Sequence, residues 1–261
     1  MATAKKVAAK AAPAKTGNVV ALKKTSGAVV DIQAALRAQA AAVADKTAPA
    51  SGILIRVTQD KQFVLPDGQK TSELDVVIVD FVSRNEFYEG AFDKDNMSSP
   101  ACFAIGNIPA KLIPSANSPQ AQCEDCASCP MNAFGSAGKG KACKNMRLLA
   151  VMPPDADEDT PLWLMKVSPT ALKGFDGYMQ SLARAQQAPM TMITTVSFDD
   201  NVTYASLRFK DSGINENVAM HFGRLEEAKD LLNQEPDVSR YEAPKPAGKP
   251  QVRRAPVAGR R

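Results

Sequence analysis

Four cysteines crowd into one short stretch, Cys123, Cys126, Cys129 and Cys143, in the pattern C-x2-C-x2-C-x13-C. The rest of the chain holds one more cysteine, Cys102, and one histidine, His221. The Lys5-Lys6 start is followed by no apolar leader, so we expect no export and a cytoplasmic compartment. Clustered thiols in such a reducing compartment are metal ligands and not disulfides. Whatever this chain folds into must therefore bring these thiols together.

A Cys-x-x-Cys step folds into a tight knuckle that offers two thiolates to one ion, and tetrahedral zinc takes four at about 2.3 Å. Cys126, Cys129 and Cys143 supply three, and the fourth is either Cys123 or Cys102. The run C-x2-C-x2-C also resembles the start of an iron–sulfur pattern, which makes that cluster the alternative cofactor. Such a run has its fourth cysteine close by, whereas here it comes only at Cys143.

Between Cys129 and Cys143 lies Gly135-Ser-Ala-Gly-Lys139-Gly-Lys141, followed by Lys144 and Arg147, with Phe134 at its head. Cations beside an aromatic ring suit a nucleic-acid strand, the cations meeting phosphates and the ring stacking a base. The stretch nearly matches a phosphate-binding loop, but Ala142 stands where the magnesium-binding hydroxyl should be, so that reading is rejected. Arg84, Phe87 and Tyr88 complete the expected nucleic-acid contacts.

Residues 51–235 carry the folded domain, with the finger at about 100–146. Leu74 to Val82, LDVVIVDFV, is apolar on both faces and reads as a central strand. Pro66-Asp67-Gly68 is a turn. Ser168 and Pro169 open a helix whose stripe is Leu172, Phe175, Met179 and Leu182. From residue 74 the order is strand, long insertion, strand, strand, helix, strand, strand. We therefore expect a mainly β (α+β) fold, an OB-like five-stranded barrel with the metal-binding insertion between its first two strands and flanking helices.

The net charge of +4 conceals an asymmetry. Residues 1–24 hold six lysines and no acid, and residues 238–261 hold seven Lys/Arg and one acid, so each contributes +6 and the middle is left at −8. Residues 1–50, with a short helix over 29–45, and 236–261, rich in proline, are expected to be basic tails. No apolar run approaches the ~18 residues of a membrane span. A single histidine assembles no Ser-His-Asp or Cys-His set and no His-x-Glu of a zinc deaminase, so we expect no enzyme.

The segments Pro100-Ala-Cys102-Phe-Ala, Cys126-Ala-Ser-Cys129-Pro-Met-Asn-Ala-Phe134-Gly-Ser and Gly138-Lys-Gly-Lys-Ala-Cys143-Lys144 resemble an uncharacterised family of tailed-phage proteins. More distantly, an OB-like barrel with a zinc-bearing insertion resembles phage single-stranded-DNA-binding proteins. That resemblance implies a sequence-tolerant, non-catalytic DNA binder in phage replication or recombination, acting in the host cytoplasm with other replication or recombination proteins. One departure is plain: such proteins end in an acidic tail, and this chain ends in arginines. The alternative is a zinc-stabilised adaptor that binds a host or phage protein.

Overall fold

The computed structural model describes residues 53–90 and 98–241. The expected helix over 29–45 and most of both basic tails lie outside the described residues.

The spine is β4 (Leu74–Phe87). One edge of it pairs along its length with β6 (Lys144–Met152), antiparallel from Val77↔Met152 to Glu86↔Lys144. The other edge carries β8 (Met192–Phe198) at the start of the strand and β5 (Cys102–Gly106) at its end. Beyond β6 come β7 (Trp163–Val167) and, parallel to it, β1 (Leu54–Val57). β2 (Phe63–Val64) and β3 (Lys70–Thr71) extend that side, and β9 (Leu207–Ile214) extends the other. The β2–β3 hairpin turns through Pro66-Asp67-Gly68, where Gly68 sits at φ 88° and donates its N–H to Leu65 O.

Both faces of this sheet are covered, which explains why β4 and β6 read as continuous apolar runs. Leu149 and Val151 of β6 point into one core with Ile78, Met165 and Phe175. The residues between them, Leu148, Ala150 and Met152, point into a second core with Val82, Leu164 and Leu232. Helix α1 (Leu172–Arg184) covers the first face with Phe175, Tyr178 and Leu182, and Phe175 meets Phe81 and Phe209 edge-on at 5.1 Å. Ser168 does not cap it: its hydroxyl is engaged with Thr170 at 2.9 Å and the helix starts after that turn. Two short helices, α2 (Val218–Gly223) and α3 (Leu225–Leu232), follow β9. α3 covers the second face with Ala228 and Leu232. His221 of α2 is fully buried, with Nδ1 2.8 Å from Asn217 O and Nε2 3.1 Å from Pro153 O.

The fold is mainly β, a curled mixed sheet forming a half-barrel with few helices. Nine strands replace the expected five. Four antiparallel ladders join the five strands named from the sequence, and no ladder among the described residues joins β7 to β9. β1 takes that edge of β7. Side chains bring the two ends of the sheet together: Phe63 stacks on Phe198 at 4.5 Å, and Lys61 Nζ donates to Asp199 O at 2.9 Å. No helix among the described residues is long and apolar enough to cross a membrane.

Candidate metal centre and finger surface

β5 returns the chain to the end of β4, and the finger that leaves it, Asn107 to Cys143, contains no strand. Within the finger only Leu112, Cys126, Cys129 and Cys143 are buried. Too few apolar side chains are covered to offset the entropy of ordering the loop. Hydrogen bonds order it instead: Ser115 N–H donates to Phe103 O at 2.8 Å and Gln120 N–H to Ala101 O at 2.7 Å, which ties the finger to the β5 segment, and others involve the cysteines. Cys126 N–H donates to Leu112 O at 3.0 Å, Cys143 N–H to Met131 O at 2.9 Å, and the Asn132 side-chain amide to Cys126 O at 2.6 Å.

All five cysteines line one cavity of about 10 Å³, together with Asn85, Phe87 and Asn132. Cys126 and Cys129 are 6% exposed and Cys102 and Cys143 8%, while Cys123 is only half-buried. Local spacing left the fourth position open between Cys123 and Cys102. Burial now favours Cys102, which pairing with Phe87 fixes at the start of β5.

Burial is the first cause that raises the thiol pKa values, to about 12 for both Cys143 and Cys123. The neighbouring cysteines add to this by charge repulsion. Cys126 is raised in the same way, against a lowering hydrogen bond from Asn85. Thiols that resist ionisation one by one are a donor set that a divalent cation deprotonates together. Among the described residues no group of three or more His, Cys, Asp or Glu side chains stands at metal-coordinating geometry. The thiols are packed as neighbours and not drawn into a coordination sphere. Their number, type and burial fit a tetrathiolate ion.

The tip of the finger is a closed turn. Gly135 N–H and Ala137 N–H both donate to Gly140 O, and Ser136 Oγ donates to Ala133 O at 2.7 Å while accepting from Ala142 N–H. Phe134 stands out of this turn 80% exposed. Lys139, Lys141 and Lys144 are exposed beside it in sequence, with Lys141 Nζ donating to Asn132 Oδ1 at 3.1 Å and Lys144 Nζ to Lys141 O.

The other expected contacts stand elsewhere. Arg84 and Arg147 are buried, so they are not surface cations. Arg84 donates to Gln234 O at 3.0 Å and lies 3.0 Å from Glu86 Oε1, and Arg147 pairs with Asp176 of α1 at 3.0 Å. Phe87 is half-buried against the thiol cavity. Tyr88 keeps an exposed edge, but its hydroxyl donates to Glu86 at 2.7 Å, and burial followed by Glu86 raises its pKa. β4 runs on to Phe87 and β6 begins at Lys144, so positions 84, 87 and 147 belong to the sheet and not to the insertion.

Sequence reasoning missed a strap. Beyond α3, Glu235 accepts from Ser115 and Asn117 of the finger, and Tyr241 OH lies 2.9 Å from Glu89 Oε2 and 3.0 Å from Gln120 Oε1, sharing its one proton between them. A tyrosine in a proline-rich tail was the one signal of it. Comparison with family models, with curated proteins and with solved structures finds no match for the chain.

Proposed function

We propose that the protein is a non-catalytic single-stranded-DNA-binding protein of phage replication or recombination. In this reading one zinc ion, held by Cys102, Cys126, Cys129 and Cys143, fixes the finger. The observation that carries it is Phe134, 80% exposed in a stretch from Cys126 to Arg147 that contains three exposed lysines and no acid. An apolar ring pays to stand in water unless something stacks on it, and a base on such a ring is worth about 1–3 kcal/mol. The lysines supply phosphate contacts that do not depend on sequence. The OB-like reading of the half-barrel draws on its four antiparallel ladders and on the finger filling the connection between β4 and β6.

Fluorescence anisotropy with a labelled oligo-dT, titrated over a salt series, tests this reading. Affinity should fall steeply with salt, and the absence of any complex at low salt would end the proposal. Exposed Ile108 and Ile113, on the same insertion as Phe134, favour a second reading, a zinc-stabilised adaptor for a host or phage protein. A protein captured from nuclease-treated host lysate, with no oligo-dT binding, would decide for it.

A further inference from the structure

The half-barrel has a second feature, far from the cysteines in sequence. Where the end of β1, the end of β7 and the β8–β9 connection approach one another, no ladder fills the space and a cavity of about 550 Å³ opens. That volume falls within the range of roughly 300–1,000 Å³ typical of small-ligand sites. Its walls include Thr58, Gln59, Lys166, Ser168, Thr203 and Tyr204, and no acidic side chain among the described residues lines it.

The polar groups differ in what they have left to offer. The Thr58 hydroxyl donates to Gln62 O and the Ser168 hydroxyl is shared with Thr170, so both are engaged. Gln59 and Thr203 carry no side-chain hydrogen bond among the described residues. Lys166 Nζ lies 4.0 Å from Glu86, a carboxylate already held by Arg84 and Tyr88, and its side chain is 45% exposed. Its ammonium is thus directed across β6 toward β4, and its exposed side chain must swing to bring the charge to the pocket. Tyr204 is 53% exposed, and its ring forms part of the wall.

An exposed ring, an amide and a hydroxyl around the pocket, with an exposed lysine at its rim that a rotamer change brings in, match the parts of one nucleotide. We propose that this seam pocket takes one nucleotide of the bound single strand, with the base on Tyr204 and the phosphate at Lys166. Gln59 faces the base edge or sugar. The finger is then one of two contacts on the strand, and the inference rests on the single-strand reading above.

The test uses full-length protein and an oligo-dT carrying one 5-iododeoxyuridine. After irradiation, cross-linked peptides should include the one containing Tyr204. Tyr204→Ala should weaken oligo-dT binding roughly tenfold, with Tyr204→Phe restoring it, because stacking needs the ring and not the hydroxyl. Lys166→Gln should lower the slope of log affinity against log salt by about 0.7, the share of one phosphate contact on a single strand. Thermal melts of the variants should match the parent, since Tyr204 is exposed. If the parent binds, cross-links map only to the finger and Tyr204→Ala binds normally, the pocket proposal is wrong and the function stands. If the parent binds no oligonucleotide, both fall together.

Discussion

From Leu148 to Met152 every residue of β6 is at most 2% exposed, whereas from Asn107 to Cys143 four residues are buried and three of them are cysteines. The sheet and the finger are therefore stabilised by different physics. Each core side chain on the sheet contributes about 1.5–3 kcal/mol by leaving water, and many small contributions share the load. The finger has no such reserve. In the zinc reading proposed above, the ion would supply what it supplies to zinc-finger peptides, about 10–16 kcal/mol in one step, so that a single ligand would decide between order and disorder. Distributed stabilisation degrades gradually; a staple fails at once.

Two substitutions should separate these regimes, and the first has the largest effect expected anywhere in the chain. Cys129→Ser should take zinc from one ion per chain to none by elemental analysis. It should also speed tryptic cleavage after Lys139 and Lys141, whose loop loses its fixed turn, while the far-ultraviolet signal of the sheet persists. Visible charge-transfer absorbance in the anaerobically purified parent would instead make the centre iron–sulfur. Phe175→Ala, in the fully buried core under α1, should cost about 3–5 kcal/mol in urea unfolding and leave the zinc content unchanged. If both variants lose metal and sheet together, the two regions are one cooperative unit and the contrast is wrong.

A smaller effect tests whether the finger's surface is separable from its staple. Phe134→Ala should leave metal and melting temperature as they are, because the ring is exposed, yet weaken oligo-dT binding by about 1–3 kcal/mol. Unchanged binding would mean that the ring serves something other than a strand.

How far the sequence discloses these regions depends on the range of the interactions involved. β4, the Pro66-Asp67-Gly68 turn and the stripe of α1 were legible because periodicity and turn chemistry act over a few residues. The presence of the thiol cluster was legible for the same reason. Its assembly was not, because Cys102 reaches the cavity through the β4–β5 ladder, and there it stands with Cys123 and the other three thiols. Arg84 and Arg147 read as surface cations because their partners, Gln234 and Asp176, lie 150 and 29 residues away. The parallel β1–β7 pair and the seam pocket beside it are likewise products of topology. Nothing near residues 57 or 204 announces them.

The strap joins the two regimes and gives the smallest effect. Ser115 and Asn117 hydrogen-bond the Glu235 carboxylate, and they, in that order, lower its pKa below the ordinary carboxylate value. The folded state thus holds the ionised form more tightly than the unfolded chain does. Its contribution is fully present above the unfolded pKa and disappears as pH falls through the depressed folded value. Hydrogen exchange of residues 233–241, corrected for intrinsic rates, should show protection at pH 7 that is lost in acid. Acid also removes metal from thiolates, so the informative quantity is the difference from Glu235→Ala, whose strap lacks this titration. The glutamate is solvent-facing, so that difference should not exceed about fivefold at pH 7 and should vanish in acid. A difference that persisted unchanged in acid would mean the strap is held by its backbone and by Tyr241, with Glu235 a bystander.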